Sequence, residues 1–315
     1  MKSPLSDLAR RAVVGAHLVV SLLLAGCGGS SSPTAPSQPS SPGGGGSGGA
    51  GGPSITPPEV LVGAGDIAVC GEPGAERTAR LLDAIPGTVM ALGDLAYHDG
   101  SDQNFRDCYG PTWGRHRGRT WPVPGNHEYH SANATPYFNY FEGRAGSPGR
   151  GYYSYRLGAW LVLAIDSVVP VNAGSAQYEW VRSELASSPK CTVAYMHHPL
   201  FAPGPNGDTP RMRPLWDLFY QAGVDVVVAG HDHLYERQGR QDPAGRFDPV
   251  RGIRAFVVGT GGGPLYQIVR PSPNSEARHS GWGVLKLSLA AEGYGWEFVP
   301  VAGDSFTDVG TDACH

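Results

Sequence analysis

Residues 59–66 read Glu59-Val60-Leu61-Val62-Gly63-Ala64-Gly65-Asp66, an apolar run that ends in a glycine-rich turn and an aspartate. A second apolar run, Thr88 to Leu92, ends in the same way at Gly93-Asp94. Short apolar runs bounded by Gly or Asp are typical of strands buried on both faces. Between the two runs, Leu81, Leu82 and Ile85 lie on one face of a predicted helix. The stretch therefore predicts a strand–helix–strand unit with an aspartate after each strand.

The same alternation of strands and helices continues along the chain. Further strands are predicted at Trp160–Ile165, Thr192–Met196, Val224–Ala229 and Ala255–Val258, helices at Ala176–Ala186 and Arg213–Ala222, and a hairpin from Val284–Leu289 and Gly295–Val301. Residues 59–315 are enough for one large core. We therefore predict one α/β domain in which two mixed β-sheets pack as a sandwich flanked by helices.

Composition excludes several classes of protein. The 315 residues include 24 Lys and Arg against 28 Asp and Glu, a net charge of −4, without long runs of one sign. A protein that binds nucleic acid by neutralising phosphates needs a basic surplus, so no nucleic-acid binding is expected. The one sustained apolar run, residues 13–24, is too short for a transmembrane helix.

The N-terminus has the pattern of an export signal. Lys2, Arg10 and Arg11 precede an apolar segment that ends at Leu24-Ala25-Gly26-Cys27. This ending resembles the bacterial lipobox, which implies that residues 1–26 are a lipoprotein signal peptide and that Cys27 carries lipid. An ordinary signal peptide with a coincidental cysteine is the alternative, and Arg10-Arg11 fits twin-arginine export poorly. The expected location is the cell envelope, at its periplasmic or extracellular face.

Residues 27–58 form a predicted tether. From Gly28 to Pro58, 25 of 31 residues are Gly, Ser or Pro. Such a segment has almost no apolar surface to offset the entropy lost on ordering, so a flexible linker is expected. The folded domain is then predicted to span residues 59–315, joined to the membrane through Cys27.

Four further cysteines, Cys70, Cys108, Cys191 and Cys314, lie in the predicted domain. In an exported domain four cysteines fit two disulfides, for which three connectivities exist. No CxxC pair occurs, so a zinc site is not indicated. We favour Cys70–Cys108, which would join loops after neighbouring strands, and Cys191–Cys314, which would fix the C-terminal tail. Free buried thiols are the alternative.

Polar residues gather immediately after the apolar strands. These residues are Asp66, Asp94, Asn126, His197, His231 and His233. Loops at the carboxyl ends of strands converge on one crevice in open α/β sheets. Any one of these residues has an ordinary explanation as a turn, a cap or a core side chain. Six potential metal ligands on five loops instead predict a metal site at that edge.

The motifs occur in a fixed order. They read Gly65-Asp66, Gly93-Asp94-Leu95-Ala96-Tyr97, Gly125-Asn126-His127-Glu128, Met196-His197-His198-Pro199 and Gly230-His231-Asp232-His233. This series resembles the calcineurin-like metallophosphoesterase superfamily. Tyr97, three residues after the second aspartate, and the later Leu234-Tyr235-Glu236-Arg237 resemble its purple acid phosphatase branch. One departure is Ala194, where that branch has Val.

The resemblance implies two metal sites that share one carboxylate. Asp66, Asp94, Tyr97 and His233 would hold Fe(III), and Asp94, Asn126, His197 and His231 would hold a divalent Fe, Zn or Mn. Carboxylate and phenolate suit ferric iron, whereas imidazole and amide oxygen suit a divalent ion. If Tyr97 were a core aromatic instead, two divalent ions would be favoured.

The resemblance also implies a reaction, the hydrolysis of small phosphate esters by attack of a metal-bound hydroxide. His127 would act as general acid or stabilise the leaving oxygen, and His198 would contact substrate phosphate or be a structural side chain. We expect a phosphomonoesterase. The alternatives are a phosphodiesterase acting on nucleotides or lipid headgroups, and a surface lipoprotein that binds metal without catalysis.

Three further features of the site region carry expectations. Glu128 and Asp232 are read as carboxylates that orient ligating histidines, or as ordinary loop acids. Gly259-Thr260-Gly261-Gly262-Gly263 lacks the lysine of a P-loop, so a tight loop at the cleft rim is expected and not a phosphate cradle. His98, His116, His130 and His279 match no motif position and are assigned to the substrate entrance or the surface.

Overall fold

The computed structural model describes residues 57–187 and 189–315. The predicted signal peptide, the predicted lipid attachment site Cys27 and nearly all of the predicted tether lie outside the described residues. Among the helices that are described, none combines the length and hydrophobicity that a bilayer span requires.

Two mixed sheets form the centre of the described chain. One sheet has the strand order β13-β12-β11-β1-β2-β3 and the other β10-β8-β9-β7-β6-β5-β4. The first contains β1 (Glu59–Ala64), β2 (Thr88–Leu92), β3 (Thr120–Val123), β11 (Gly283–Ala290), β12 (Gly293–Pro300) and β13 (Asp308–Ala313). The second contains β4 (Tyr153–Leu157), β5 (Trp160–Ala164), β6 (Thr192–Met196), β7 (Val226–Ala229), β8 (Tyr235–Gln241), β9 (Ile253–Val258) and β10 (Ser275–His279).

The described residues form fewer helices than strands. The α-helices are α1 (Gly74–Ala84), α2 (Asp102–Asn104), α3 (Thr135–Phe141), α4 (Ala176–Leu185) and α5 (Arg213–Ala222). Ser175 caps α4 by accepting from the Tyr178 N–H, and Gly223 ends α5 in the left-handed conformation. Short 3-10 and π turns connect β2 to β4 around α2 and α3.

Strand alternation distributes side chains between two cores. Val162 and Ala164 of β5 face the core shared with the first sheet, whereas Leu161 and Leu163 face α4 and α5. A strand buried on both faces needs this continuous apolar sequence, because successive side chains point to opposite sides. The predicted sandwich flanked by helices is confirmed.

Parallel pairing sets the direction of the site-bearing strands. β1 pairs in parallel with β2 and β2 with β3, while β5, β6, β7 and β9 form a second parallel set. The polar residues that follow these strands therefore leave each sheet at the edge formed by carboxyl ends.

The predicted C-terminal hairpin is confirmed, with β11 and β12 antiparallel from Gly283↔Pro300 to Ala290↔Gly293. Several predicted boundaries were wrong by one or two residues: β5 ends at Ala164, β7 begins at Val226, β9 begins at Ile253 and α4 ends at Leu185. The sequence reading also missed β3, β4, β8, β10 and β13. Several of these strands carry mostly polar residues, which give no apolar run to detect.

Both favoured disulfides are confirmed. Cys70 is bonded to Cys108 and Cys191 to Cys314. The first ties the loop after β1 to the segment after α2. The second joins the start of β6 to the end of β13, and so fixes the C-terminal strand to the opposite sheet.

Candidate metal centre

Tight turns deliver the two aspartates to the site. Asp66 and Asp94 have φ values of 60° and 51°, in the left-handed region that Asp tolerates better than most residues. The two turns are bonded together, since the Asp66 N–H donates to Gly93 O at 3.0 Å and the Ile67 N–H to Asp94 O at 2.9 Å. Position 93 requires glycine, because a Cβ there would lie 2.7 Å from the His197 side chain.

The first group of donor atoms surrounds the Tyr97 hydroxyl. The Tyr97 oxygen lies 3.1 Å from Asp66 Oδ1, 3.0 Å from His233 Nε2 and 3.5 Å from Asp94 Oδ2. His233 Nε2 is also 3.2 Å from Asp66 Oδ1. The His233 Nδ1–H donates to Pro264 O at 2.6 Å, which leaves Nε2 as the nitrogen that faces the site. Every residue predicted for the ferric site is present in this group.

The second group of donor atoms surrounds His197 Nε2. That nitrogen lies 3.2 Å from each of Asp94 Oδ2, Asn126 Oδ1 and His231 Nδ1. The His197 Nδ1–H donates to Leu92 O at 2.8 Å, which fixes the ring orientation. These four residues are the ones predicted for the divalent site, and Asp94 contacts both groups.

The donor set fits two cations. Carboxylate, amide and imidazole lone pairs point at one another across about 3 Å, and a proton on His197 Nε2 can serve only one of its three neighbours. Closely packed lone pairs in a buried place repel unless a cation lies between them. Two overlapping sets of side chains have donor atoms close enough to share a cation. One set is Asp66, Asp94 and His197, and the other is His197, His198 and His231. His198 was not predicted as a ligand.

Charge interactions shift several pKa values in the metal-free chain. Burial opposes ionisation of Asp94, but His197 and His127 overcome this and hold its pKa below the ordinary range. Burial also opposes protonation of His197, yet Asp94 and Asp66 raise its pKa to about 9. Burial and His197 lower the pKa of His231 to about 4. A cation at the second group would therefore displace the proton of His197 and find His231 already neutral.

Tyr97 is the hardest of these groups to ionise. Burial first, and then the charges of Asp66 and Asp94, raise the pKa of its phenol well above the usual value. A phenolate at this position would be stabilised by a cation that offsets the charges of both aspartates.

Glu128 and Asp232 have structural roles in the loops around the site. The Glu128 carboxylate accepts from four backbone N–H groups at 2.8–3.3 Å, those of Asp94, Leu95, Ala96 and Gly125. Asp232 accepts from the N–H groups of Gly204 and Asn206 at 2.8 and 3.2 Å. Both carboxylates hold loop backbones, and neither orients a ligating histidine. Of the two readings given by the sequence, the structure favours that of loop acids, because the hydrogen bonds of each carboxylate go to backbone N–H groups.

His127 lies at the edge of the donor groups. Its N–H on the main chain donates to Asp94 Oδ1 at 2.8 Å, while its Nε2 is 3.8 Å from Asp94 Oδ2. The ring Nδ1–H donates to His98 O at 2.5 Å. Because Nδ1 holds this proton, Nε2 can donate one only when the ring is charged, which is the form a general acid needs. The side chain is 26% exposed, so solvent and ligands can reach it.

His198 is more enclosed than His127. It is 7% exposed, and its ring lies 4.3 Å from that of His231. Its Nδ1 is 2.9 Å from Ser167 Oγ, which also accepts the His198 backbone N–H at 2.9 Å. Sequence reasoning missed Ser167, since a serine after a predicted strand carries no signal beyond its position.

Of the four histidines that match no motif position, two, His98 and His130, lie beside His127. His130 has its ring centre 4.8 Å from that of His127, and its Nδ1 is 3.3 Å from the His98 carbonyl. His98 and His130 are exposed. His116 instead contacts Ala79 O, and His279 contacts Asp304.

The glycine-rich segment after β9 packs directly against the Asp66 turn. Gly261 N–H donates to Gly65 O and Gly263 N–H to Asp66 O, both at 2.8 Å. A Cβ on Gly259 would lie 2.1 Å from Asp232 O. The amides are thus used internally, and the segment is the tight loop that was predicted.

Comparison with known proteins agrees with this geometry. Residues 61–235 match the family model of the calcineurin-like phosphoesterases, which is more than half of the chain. The chain therefore belongs to the calcineurin-like phosphoesterase family.

Within that family its relatives include purple acid phosphatases. Purple acid phosphatase 21 of Arabidopsis thaliana is 29% identical over 258 residues, 71% of this chain and 57% of the relative. Purple acid phosphatase 22 of the same plant is 28% identical over the same shares. A purple acid phosphatase from yellow lupin shares the fold, with a TM-score of 0.70, 19% identity and coverage of 81% of this chain and 53% of that one. The chain spans about half the length of these relatives.

Proposed function

We propose that this protein is a phosphatase that hydrolyses small phosphate monoesters with two bound metal ions. The observation that carries the proposal is the arrangement of seven donor residues in two groups that share Asp94. When bound, the cations would polarise the phosphoryl oxygens and lower the pKa of a water molecule. The chain contributes the placement of those cations and an imidazole, His127, at the edge of both groups.

Family membership supports the reaction class, and the site supports the roles of its side chains. The Glu128 carboxylate fixes the turn that carries Asp94, so the shared carboxylate has one orientation. The His98 carbonyl fixes the His127 ring so that Nε2 is free to give a proton to the leaving oxygen. His198 is held by Ser167 beside His231, and because burial lowers its pKa well below the usual value it would contact substrate phosphate as a neutral imidazole.

The metals we propose are Fe(III) at Asp66, Asp94, Tyr97 and His233, and a divalent Fe, Zn or Mn at Asp94, Asn126, His197 and His231. Two anionic carboxylates and a phenolate suit the harder ion, and two imidazoles with an amide oxygen suit the softer one. Burial and the two aspartates raise the pKa of Tyr97 in the metal-free chain, and a phenolate there would be stabilised more by a trivalent ion than by a divalent one.

We also propose that the protein is exported and held at the cell envelope through lipid on Cys27. The Leu24-Ala25-Gly26-Cys27 sequence and the Gly/Ser/Pro-rich residues that follow it support this location. The two disulfides of the domain agree with an oxidising compartment.

The reaction is tested with paired esters and one variant. The wild type is expected to hydrolyse 4-nitrophenyl phosphate faster than bis(4-nitrophenyl) phosphate. His127→Ala should lower kcat on the order of 100-fold because the leaving oxygen loses its proton donor. Metal content, measured on the same samples, should stay at two ions per chain in His127→Ala.

His130→Ala provides the matched control, since it removes a neighbouring exposed imidazole and should change kcat far less. A diester rate well above the monoester rate would contradict the monoesterase proposal. Unchanged turnover in His127→Ala would remove this residue from the reaction.

A further inference from the structure

A chain segment between β6 and α5 borders the candidate metal centre. It is held there by the loop that carries the second-group ligand His231: Asp232 accepts from Gly204 and Asn206, and the Asn206 side-chain amide donates to His231 O at 2.7 Å. Its far end is fixed by the Thr209 N–H, which donates to Leu200 O at 3.0 Å. The residues that follow Thr209 therefore have a defined place beside the site.

Arg211 extends from this segment toward the end of β5. Its Nη1–H donates to the main-chain oxygen of Ser167, the residue whose hydroxyl lies 2.9 Å from His198 Nδ1. One serine thus contacts the guanidinium through its carbonyl and the imidazole through its hydroxyl. This places the Arg211 charge next to His198, on the side of the site that His198 and His231 occupy.

The Arg211 guanidinium is not neutralised by the protein. In the part of the chain that the structure describes, the Ser167 carbonyl is its one hydrogen-bond partner and no carboxylate lies within salt-bridge distance. Some other arginines of the described chain are paired, for example Arg115 with Glu76 and Asp83, whereas Arg213 also donates to a carbonyl oxygen and has no carboxylate partner. Burial lowers the pKa of Arg211 and Asp166 only partly opposes this, so the environment disfavours the isolated charge.

Arg211 is nevertheless exposed to solvent. Two of its nitrogens, Nε and Nη2, are free of protein partners within the described ranges. A planar guanidinium with free N–H groups suits the paired oxygens of a phosphate or carboxylate.

We propose that Arg211 is a substrate-binding residue that contacts an anionic group of the phosphate ester at the rim of the metal centre. The proposal rests on the phosphatase function proposed above. It adds a substrate preference. Esters with a doubly charged phosphate, or with a second anionic group near the scissile phosphate, should bind better than singly charged esters without a second anionic group. Ser167 then has two tasks, since it holds both Arg211 and His198.

The test compares charge-removing and charge-retaining variants of the full metal-loaded chain. Arg211→Gln should raise the Kd for inorganic phosphate, measured by calorimetry, about tenfold, because a charge-assisted hydrogen bond is lost. Arg211→Lys should retain most of the affinity. Arg213→Gln is the matched control, because Arg213 lies two residues away and donates to Pro243 O, away from the donor groups.

Steady-state kinetics distinguish which anionic group is bound. A raised KM for both 4-nitrophenyl phosphate and a sugar bisphosphate supports contact with the scissile phosphate. A raised KM for the bisphosphate alone supports contact with a second anion. In both cases kcat should fall less than kcat/KM, and thermal unfolding of Arg211→Gln should match that of Arg213→Gln.

Two failures have different meanings. A wild-type chain that hydrolyses neither ester would contradict the proposed phosphatase function. Hydrolysis by the wild type, together with an unchanged Kd for phosphate and unchanged KM values in Arg211→Gln, would contradict the role of Arg211 alone. A lower melting temperature without any change in Kd or KM would show that its contact with Ser167 is structural.

Discussion

Single hydrogen bonds decide which atom of each ligand residue faces the site. His197 and His233 both give their Nδ1 proton to a backbone carbonyl, of Leu92 and Pro264 respectively. This leaves Nε2 of each ring directed at an aspartate. The motifs identify the candidate ligand residues, but they cannot identify these carbonyl groups, because every residue type has one.

Tyr97→Phe tests the proposed ferric site at this scale. The wild type should be purple or pink, since a phenolate bound to Fe(III) absorbs visible light, and Tyr97→Phe should be colourless while the second metal is retained. The measurement is a visible spectrum with metal analysis. Tyr266→Phe is the control, because its ring stacks on that of His233 with ring centres 4.1 Å apart and its hydroxyl makes no hydrogen bond to the donor groups in the described part of the chain. Colour that survives in Tyr97→Phe, or active wild type with two divalent ions, would contradict the ferric proposal.

At the scale of secondary structure, most strands that precede site residues could be predicted, whereas β3 and several strands with polar sequences could not. β1, β2, β6 and β7 are continuous apolar runs buried on both faces. β8 and β13 instead carry charges that are paired across the sandwich: Arg237 bonds both oxygens of Asp308 at 2.8–2.9 Å. Such strands depend on partners distant in sequence, which no local pattern reveals.

Asp166, which follows β5, links that strand to the His127 segment and gives a pH-dependent prediction. It is fully buried, accepts from the Tyr129 hydroxyl at 2.5 Å, and burial raises its pKa from 3.8 to about 6. Because the folded state binds this proton more tightly than the unfolded state, its contribution to stability is present below pH 3.8 and is lost as pH rises through 6. The loss corresponds to about 3 kcal/mol in the free energy of unfolding.

Asp166→Asn should remove this dependence. From pH 3.5 to pH 7, the stability of the variant relative to the wild type should improve by about 3 kcal/mol, measured by urea unfolding across the range. Asp217→Asn, on α5, is the control and should show no such trend. A stability difference that stays constant with pH would mean that the Asp166 carboxyl ionises normally in the folded protein.

For the molecule as a whole, the domain and the residues of its site could be predicted from the sequence more fully than the residues that surround the site. The order of motifs predicted that six polar residues lie together, because strand ends bring them to one edge, and the family resemblance added Tyr97. Arg211 and Ser167 were not predicted as site residues. Their positions near His198 depend on a loop that Asp232 holds in place, and motif spacing does not reveal such a contact. The disulfides could be chosen from three connectivities because two of the cysteines follow neighbouring strands.

The proposed anchorage is a property of the full chain and is tested on it. Cys27→Ser should move the protein from the membrane fraction to the soluble fraction after cell lysis, because lipid attachment needs that thiol and nothing in the described domain is long and apolar enough to cross a bilayer. Phosphatase activity per mole should be unchanged, since Cys27 is not one of the four cysteines in the domain's disulfides. Ser30→Ala, three residues away in the predicted tether, is the matched control and should stay with the membrane.

Equal partitioning of Cys27→Ser and wild type would show that the chain is held by something other than lipid on this cysteine, whereas release with full activity would support a tethered enzyme that works independently of its anchor.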